Sequence, residues 1–179
     1  MTAARHLFNE RGYANAGTEE IVRQAGVTRG ALYHHFADKK DLFRAVYEQI
    51  EEEVVAEIAG RMAGATDPYE ALKTGTLTLL DICTDPAMAR IALIDAPSVL
   101  GWAEWREIDL RYGLGLVIAG LQGGMDTGVL RPQPVRPLAH VLLGAMSEAG
   151  MMIANAEDPA FARAEVEAPL MALLDGLRL

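Results

Sequence analysis

Residues 27–42, VTRGALYHHFADKKDL, concentrate cationic and aromatic side chains beside a glycine turn. The cationic and imidazole groups are Arg29, His34, His35, Lys39 and Lys40. Lysines in the first turn of a helix oppose the helix dipole at a cost of about 0.3–1 kcal/mol each. An anion docked at that end removes the cost and meets free backbone amides. The run therefore predicts a surface that binds an anion such as a phosphate.

Two short helices joined by a tight turn are predicted around this run. Thr18 can cap the first of them by accepting a first-turn amide, and Gly26 can end it in the left-handed conformation. Thr28 can cap the next helix, with Val27 and Leu32 at the two positions of a hydrophobic staple. This arrangement predicts a helix-turn-helix.

The start of the third helix carries residue types that can read base edges in a DNA major groove. Arg29 can be bidentate to guanine, and the methyl group of Ala31 can contact a thymine methyl. Tyr33 can instead be a core aromatic residue, and Lys39 a solvated surface lysine. Adjacent histidines on a helix point in different directions, so no metal site is expected at positions 34 and 35.

Charge is distributed unevenly along the 179 residues. Residues 1–50 hold 7 Lys+Arg against 6 Asp+Glu, whereas the rest of the chain holds 9 against 19. Such asymmetry is typical of a nucleic-acid-binding head on an acidic body. Cys83 is the only cysteine, which excludes an intrachain disulfide or a zinc-type spacing and favours the cytoplasm.

Neither the N-terminal segment nor the most apolar segment of the chain indicates a membrane protein. The start, MTAARHLFNERGY, is amphipathic and is not a predicted signal peptide. Residues 138–156 approach membrane length but contain Glu148, which would cost roughly 2 kcal/mol or more in a lipid-facing helix. A buried packing helix is the prediction, with no membrane partner.

Helical periodicity with Gly or Pro punctuation predicts an all-α chain. A first helix ends at Gly12, and the fourth begins at the cap Asp38. One later helix is expected to begin at Asp67-Pro68, and the next to begin at Asp85-Pro86 and to stop near Pro97. Three further helices are expected over residues 102–121, 137–156 and 159–178. Residues 123–137 are expected to form a loop, and Pro169 to kink or split the last helix.

The run TEEIVRQAGVTRGALYHHFADKKDLF, residues 18–43, resembles the DNA-binding segment of TetR-family transcriptional regulators, and AARHLFNERGY is similar to that family's first helix. The resemblance covers about residues 3–47. It implies a three-helix DNA-binding head over residues 1–47 and a helical ligand-binding and dimerisation body over 48–179. The DNA-contacting residues it implies are Thr18, Thr28, Arg29, Gly30, Ala31, Tyr33, His34 and Lys39. Family members commonly carry further basic residues ahead of the first helix, so either the start is trimmed or an arm contact is absent.

Residues 91–121 resemble the C-terminal domain of one large TetR subgroup. At helical spacing Trp102, Trp105 and Arg106 fall near one face, and an aromatic wall with one cation suits an apolar anion. The alternative is that these tryptophans are core or interface residues. Further candidates for the ligand pocket are Leu80, Cys83, Ile94, Asp95, Tyr112 and Met146.

The last two helices present small and methionine-rich apolar faces, which favour close helix contact. By resemblance they pair two subunits in a four-helix bundle; the alternative is a monomer core. The expected function is a ligand-responsive transcription regulator, a repressor, that binds a palindromic DNA operator as a homodimer and responds to an unknown small-molecule effector. The alternative is a helical small-molecule-binding protein that has lost DNA binding. No catalytic constellation or cofactor motif is found, so neither an enzyme nor a cofactor is expected.

Overall fold

Local capping signals set the ends of most helices in the structure, a computed structural model that describes residues 1–179. The helices are α1 Thr2–Asn15, α2 Thr18–Ala25, α3 Arg29–His35, α4 Lys39–Met62, α5 Pro68–Ile82, α6 Pro86–Ala89, α7 Ala96–Leu100, α8 Trp102–Asp126, α9 Val135–Ala154 and α10 Pro159–Asp175. A π-helical turn, Arg90–Asp95, joins α6 to α7. The fold is all-α, as predicted, and the only β feature is an isolated bridge between Leu130 and Arg178.

The predicted caps of α3 and α4 are confirmed. The Thr28 hydroxyl accepts a hydrogen bond from the Ala31 amide at 3.1 Å, and the Asp38 carboxylate accepts one from the Asp41 amide at 2.8 Å. Gly26 ends α2 with φ 66° in the left-handed region. These contacts fix the angle between α2 and α3 and the point where α4 leaves the turn.

Two predicted helix ends were wrong. Gly17, rather than Thr18, is the N-cap of α2; Thr18 is the first helical residue and makes no capping hydrogen bond. The helix that begins at Pro86 does not stop near Pro97, because a proline in the first turn of a helix gives up no hydrogen bond. The chain continues as the π-helical turn and α7 to Leu100, and Gly101 with φ 90° separates α7 from α8.

Two expectations in the C-terminal half were also wrong. Gly123 and Gly124 belong to α8 instead of a loop, which leaves residues 127–134 as the connection to α9. Pro169 does not split α10, which runs unbroken from Pro159 to Asp175. Pro169 and Glu165 are both exposed, so water can solvate the Glu165 carbonyl that has lost its helical amide partner.

The hydrophobic core is continuous from the head, α1–α3 with the start of α4, into the body formed by the remaining helices. In the head, the ring of Phe43 packs edge-on against Phe8 and Tyr13, with ring centroids 5.1 Å apart in both pairs. In the body, α4 packs on α5 and α8, and α9 packs on α5, α8 and α10. Helix α4 therefore belongs to both halves.

Helix α9 is long and apolar enough to cross a membrane by length and composition alone. It packs here against three helices of the body, and 44% of its most apolar window is buried. The prediction that this segment is a packing helix agrees with these contacts.

Close packing of Gly124 against the buried side chain of Leu130 gives a stability prediction. A Cβ at position 124 would lie 2.6 Å from Leu130 Cδ1 and 2.7 Å from its Cγ. We expect Gly124→Ala to lower the free energy of unfolding by about 1–3 kcal/mol, since overpacking outweighs the gain in helix propensity. Urea denaturation followed by circular dichroism would measure the change.

Gly115→Ala is the matched control on the same helix. No atom lies within 4 Å of a Cβ placed at Gly115, and the position is exposed. Here alanine is expected to raise the free energy of unfolding by up to about 1 kcal/mol. Equal effects at the two positions would contradict the packing argument.

Candidate nucleic-acid interface and body cavity

The outer face of α3 is open to solvent. Thr28, Arg29, Gly30 and Ala31 are all exposed, whereas Leu32 turns inward with 9% exposure. Small side chains at the exposed N-terminal end leave the helix backbone free to approach a flat or grooved partner. Leu32 thus packs this end of the helix onto the head, and residues 28–31 remain exposed to solvent.

Tyr33 is 38% exposed and is not a core residue. Its ring lies beneath the guanidinium of Arg29, with 5.5 Å between the Arg29 Cζ and the ring centroid. Arg29 also lies 3.9 Å from Glu19, in a pair whose side chains are both largely exposed. Such a pair contributes little, so the Arg29 guanidinium remains available.

Lys39, at the start of α4, is held against α1. Its Nζ lies 4.3 Å from the ring centroid of Tyr13, a cation–π contact. Partial burial lowers the pKa of Lys39 from its ordinary value, and burial followed by the charge of Asp38 raises the pKa of Tyr13. The tyrosine therefore positions the ammonium without neutralising it.

The remaining members of the cationic run have different surroundings. His34 is exposed with its ring 5.3 Å from that of His35, and Thr18 is half-buried on α2. Lys40 is bonded to the body: its Nζ lies 3.1 Å from Glu104 and donates to the Leu100 carbonyl at 3.3 Å. Both lysines are partly exposed, and Lys39 is the one without a carboxylate partner.

Lys40 belongs to a joint between head and body. Glu104 at the start of α8 pairs with both Lys40 and Arg44 of α4, and these hydrogen bonds outweigh burial and lower the pKa of Glu104. A second joint is formed by Asp95, whose carboxylate accepts a hydrogen bond from the Tyr13 amide at 2.8 Å. Both joints connect the head to the segment around the π-helical turn.

The body contains an apolar cavity between α4, α5, α8 and α9. Its larger compartment, about 530 Å³ including its mouth, has walls that include Val54, Ile58, Leu72, Leu79, Val117 and Leu143. A second compartment reaches toward Trp105 and Gly150 and shares Glu51, Asp109 and Met146 with the first. A mainly apolar concavity with a few polar groups is typical of a small-molecule site.

The polar groups of this cavity lie where its compartments meet. Burial first, and the nearby Asp109 carboxylate second, raise the pKa of Glu51 to about 7. Burial also raises the pKa of Asp109, although Arg106 and Ser147 on its other side hold it as hydrogen-bond partners. The hydroxyl of Tyr47, one turn before Glu51 on α4, is buried without a partner in the protein.

The structure brings only some of the predicted pocket residues together. Met146, Cys83 and Trp105 line the cavity, and Arg106 lies behind it, bonded to Asp109 and Ser147. The other predicted residues lie outside this cavity. Leu80 is in the core, and Ile94 and Asp95 line a separate groove beside α6. Trp102 is on the surface at 60% exposure, and Tyr112 contacts Glu52 on the outside of the body.

The expected aromatic wall with a free cation is therefore not formed. Trp102 and Trp105 are in contact, with ring centroids 4.9 Å apart, but Trp105 is buried and donates its indole N–H to the Ala92 carbonyl. The charge of Arg106 is taken up by Asp109. Sequence reasoning missed Glu51 because it stands in the acidic run IEEEVVAEI, where nothing distinguishes the glutamate that lines the cavity from the solvated ones.

Comparison with known proteins assigns both halves of the chain. Residues 1–46 match the family described as bacterial regulatory proteins, tetR family, and residues 69–177 match the tetracyclin repressor-like C-terminal domain. The structure is similar to that of a TetR-family transcriptional regulator from Pectobacterium atrosepticum, with TM-score 0.91, 35% identity and coverage of 99% of this chain and 91% of that one.

Two curated relatives extend the comparison. The transposon Tn10 TetC protein of Escherichia coli is 35% identical over 119 residues, which is 66% of this chain and 60% of that protein. The A-factor receptor protein of Streptomyces griseus is 27% identical over 164 residues, 88% of this chain and 54% of the receptor. The chain thus spans less than two thirds of the length of these relatives. With both domain descriptions matched and one fold throughout, the chain belongs to the TetR family of transcriptional regulators.

Proposed function

We propose that this chain is a ligand-responsive transcriptional regulator, a repressor, that binds a palindromic operator as a dimer in the cytoplasm. The observation that carries the proposal is the exposed face of α3, which presents Arg29 with its ring partner Tyr33, followed by Lys39 at the start of α4. Arginine at such a helix start suits the guanine edge in a major groove, and the lysine suits a phosphate. Residues 1–47 would form the DNA-binding domain and 48–179 the regulatory body.

DNA contacts would divide into two sets in this proposal. Arg29, Gly30 and Ala31 would lie nearest the bases, where small neighbours permit close approach. Thr18, Thr28, Tyr33, His34 and Lys39 would contact the phosphate backbone on either side. Thr28 uses its hydroxyl oxygen as the cap of α3, so its remaining capacity is as a hydroxyl donor, the form that a phosphate accepts.

Dimerisation through α9 and α10 is supported by their exposed apolar side chains. Val141, Met152, Phe161 and Leu173 are each more than half exposed in the single chain. Large apolar side chains grouped on two adjacent helices mark an interaction face. A second copy would cover them and place two heads on successive half-sites, as a palindrome requires.

The body would bind the effector in the cavity between α4, α5, α8 and α9. Helix α4 supplies Glu51, Val54 and Ile58 to its wall and carries Lys39 at its other end. An effector that binds more tightly when α4 is in one orientation than in another shifts the equilibrium between the operator-binding and the non-binding conformation. The name of the A-factor receptor relative supports a ligand-sensing role for this body.

Selection of random duplex DNA by the purified protein tests the proposal. We expect an enriched palindrome whose binding weakens steeply as salt increases, because phosphate contacts release counterions. Tyr33→Ala and Lys39→Ala should reduce the affinity for that palindrome, and Lys39→Ala should also reduce the salt dependence by about one counterion per half-site. The same salt titration on an unselected duplex is the control.

Absence of enrichment at low salt would overturn the regulator proposal. It would favour instead a helical small-molecule-binding protein without DNA-binding activity. Enrichment that survives unchanged in both variants would show that DNA is bound by another surface of the chain.

A further inference from the structure

The charged lining of the body cavity is entirely acidic. Glu51 and Asp109 line both compartments, and no lysine, arginine or histidine does so in either. Apolar side chains provide almost all of the remaining wall. A ligand that enters therefore leaves water for a space with carboxylates and hydrocarbon but no cation.

Only one of the two carboxylates is already neutralised by the protein. Asp109 is bonded to the Arg106 guanidinium and to the Ser147 hydroxyl. Glu51 has no ion-pair partner, since the charge of Arg106 is directed to Asp109. Its one neighbouring donor is the Tyr47 hydroxyl, which lies close enough to lower the pKa of Glu51 but outside hydrogen-bonding geometry. One unpaired acid thus faces the cavity, which is costly unless it binds a proton or a cation.

Tyr47 is the polar neighbour of Glu51 on the same helix. Its side chain is fully buried, and its hydroxyl lies near the Glu51 carboxylate but outside hydrogen-bonding geometry. The phenol lies close enough to Glu51, Asp109 and Arg106 for their charges to shift its pKa upward on balance, after burial. Buried hydroxyls that lack a hydrogen-bond partner in the protein are rare, and such groups usually bond to a bound molecule or a water.

The rest of the wall suits a hydrocarbon group. Val54, Leu72, Leu79 and Val117 line the larger compartment together with Met62 and Met146. Methionine side chains adjust to ligands of different shape. The wall can therefore contact hydrocarbon groups of many shapes, whereas the Glu51 carboxylate selects the charge of the ligand's polar group.

We infer that the effector is a hydrophobic amine, bound with its ammonium group at Glu51 beside the Tyr47 hydroxyl and its hydrocarbon part in the larger compartment. The inference deepens the proposed function by naming the chemical class of the effector. It replaces the apolar anion that the Trp102, Trp105 and Arg106 spacing suggested. An ammonium supplies the missing counter-charge to Glu51 and donates N–H groups to its carboxylate and to the Tyr47 oxygen.

Binding is tested directly, without DNA, by isothermal titration calorimetry. The probes are decylammonium, decanoate and decanol, each below its micelle concentration, which share one hydrocarbon chain and differ in head group. We expect the protein to bind decylammonium at least tenfold more tightly than decanol and to bind decanoate most weakly. Binding of decanoate as tightly as decylammonium would overturn the inference.

Glu51→Gln is the decisive variant and Glu52→Gln its matched control. Glutamine keeps the shape of residue 51 and removes its charge, so decylammonium binding should weaken at least tenfold while decanol binding stays within threefold. Glu52 is adjacent but exposed and outside the cavity, with Tyr112 as its partner, so Glu52→Gln should bind like the wild type. Unchanged decylammonium binding by folded Glu51→Gln would also overturn the inference.

The pH dependence gives an independent readout. Glu51 faces Tyr47 on its own helix, Asp109 and Arg106 from α8, Cys83 just after α5 and the non-titrating Ser147 from α9. Burial raises the pKa of the Cys83 thiol to about 12, so it stays neutral. Since decylammonium requires ionised Glu51, whose pKa is raised to about 7 by burial and by Asp109, its affinity should increase between pH 6 and pH 8 with proton release. A flat or falling profile would contradict an ammonium at Glu51.

Failure of this inference is distinguishable from failure of the proposed function. Operator binding is measured on the wild-type protein and on Glu52→Gln in the absence of any amine, and the two are expected to bind equally. Amine binding without operator selection would overturn the regulator proposal alone. Operator selection without amine preference would overturn the effector class alone.

Discussion

Arg29→Ala is expected to weaken binding to the selected operator by about 1–3 kcal/mol per half-site, and by about twice that for a dimer on two half-sites. The guanidinium is largely exposed and has only the weak Glu19 pair and the Tyr33 ring as partners. It therefore has little to lose within the protein when it reaches a base edge. Fluorescence anisotropy at fixed salt would measure the change, with a relaxed preference at one base pair of each half-site as its signature.

Two controls separate base reading from general charge. Arg29→Lys keeps the positive charge but loses the bidentate geometry, so it should relax the same base preference while preserving most of the salt dependence. Arg61→Ala removes one positive charge from the far end of α4, where the side chain pairs with Glu57. A loss of operator affinity from Arg61→Ala as large as that from Arg29→Ala would refute a direct base contact.

Trp105→Ala is expected to lower the free energy of unfolding by about 3–5 kcal/mol, the largest stability effect predicted for a single residue of the body. Trp105 is 1% exposed, and its indole donates to the Ala92 carbonyl at 3.0 Å. Alanine would leave both a cavity and a buried carbonyl without its donor. Urea denaturation at several protein concentrations would measure the loss, because subunit association contributes to apparent stability.

The neighbouring tryptophan provides the control. Trp102 is 60% exposed and stacks on Trp105 from outside, so Trp102→Ala should cost no more than about 1 kcal/mol. Trp105→Phe should fall between the two, since it restores most of the ring volume but not the N–H donor. A cost at Trp102 equal to that at Trp105 would mean that the outer ring is buried by a second subunit.

The head was predictable from sequence because short-range signals determine it. The caps at Thr28 and Asp38 and the left-handed Gly26 each depend on residues within three positions, and all are present in the structure. The error at Thr18 has the same origin. Gly17 can occupy the cap position equally well, and its carbonyl accepts the first helical hydrogen bonds.

The cavity was not predictable because its members come from four helices. Glu51 and Asp109 are separated by more than fifty positions, and no local pattern indicates which glutamate of an acidic helix turns inward. The spacing of Trp102 and Trp105 correctly placed them in contact, but the π-helical turn covers only Trp105. A π-helical turn has no sequence signal comparable to a cap or a left-handed glycine, so this difference required the structure.

The length of α4 determines how small a change in the body can matter at the DNA. Its 24 residues span about 36 Å at 1.5 Å per residue, from Met62 in the cavity wall to Lys39 in the head. Rotation of such a rigid rod by about 5° around its cavity end displaces the other end by about 3 Å. Half-sites on DNA repeat every 34–36 Å, and opposite rotations in two subunits would add. A side-chain movement in the cavity as small as a methionine rotamer change can thus produce a displacement of several ångströms at each head. A displacement of that size decides whether the two heads fit successive turns of the double helix.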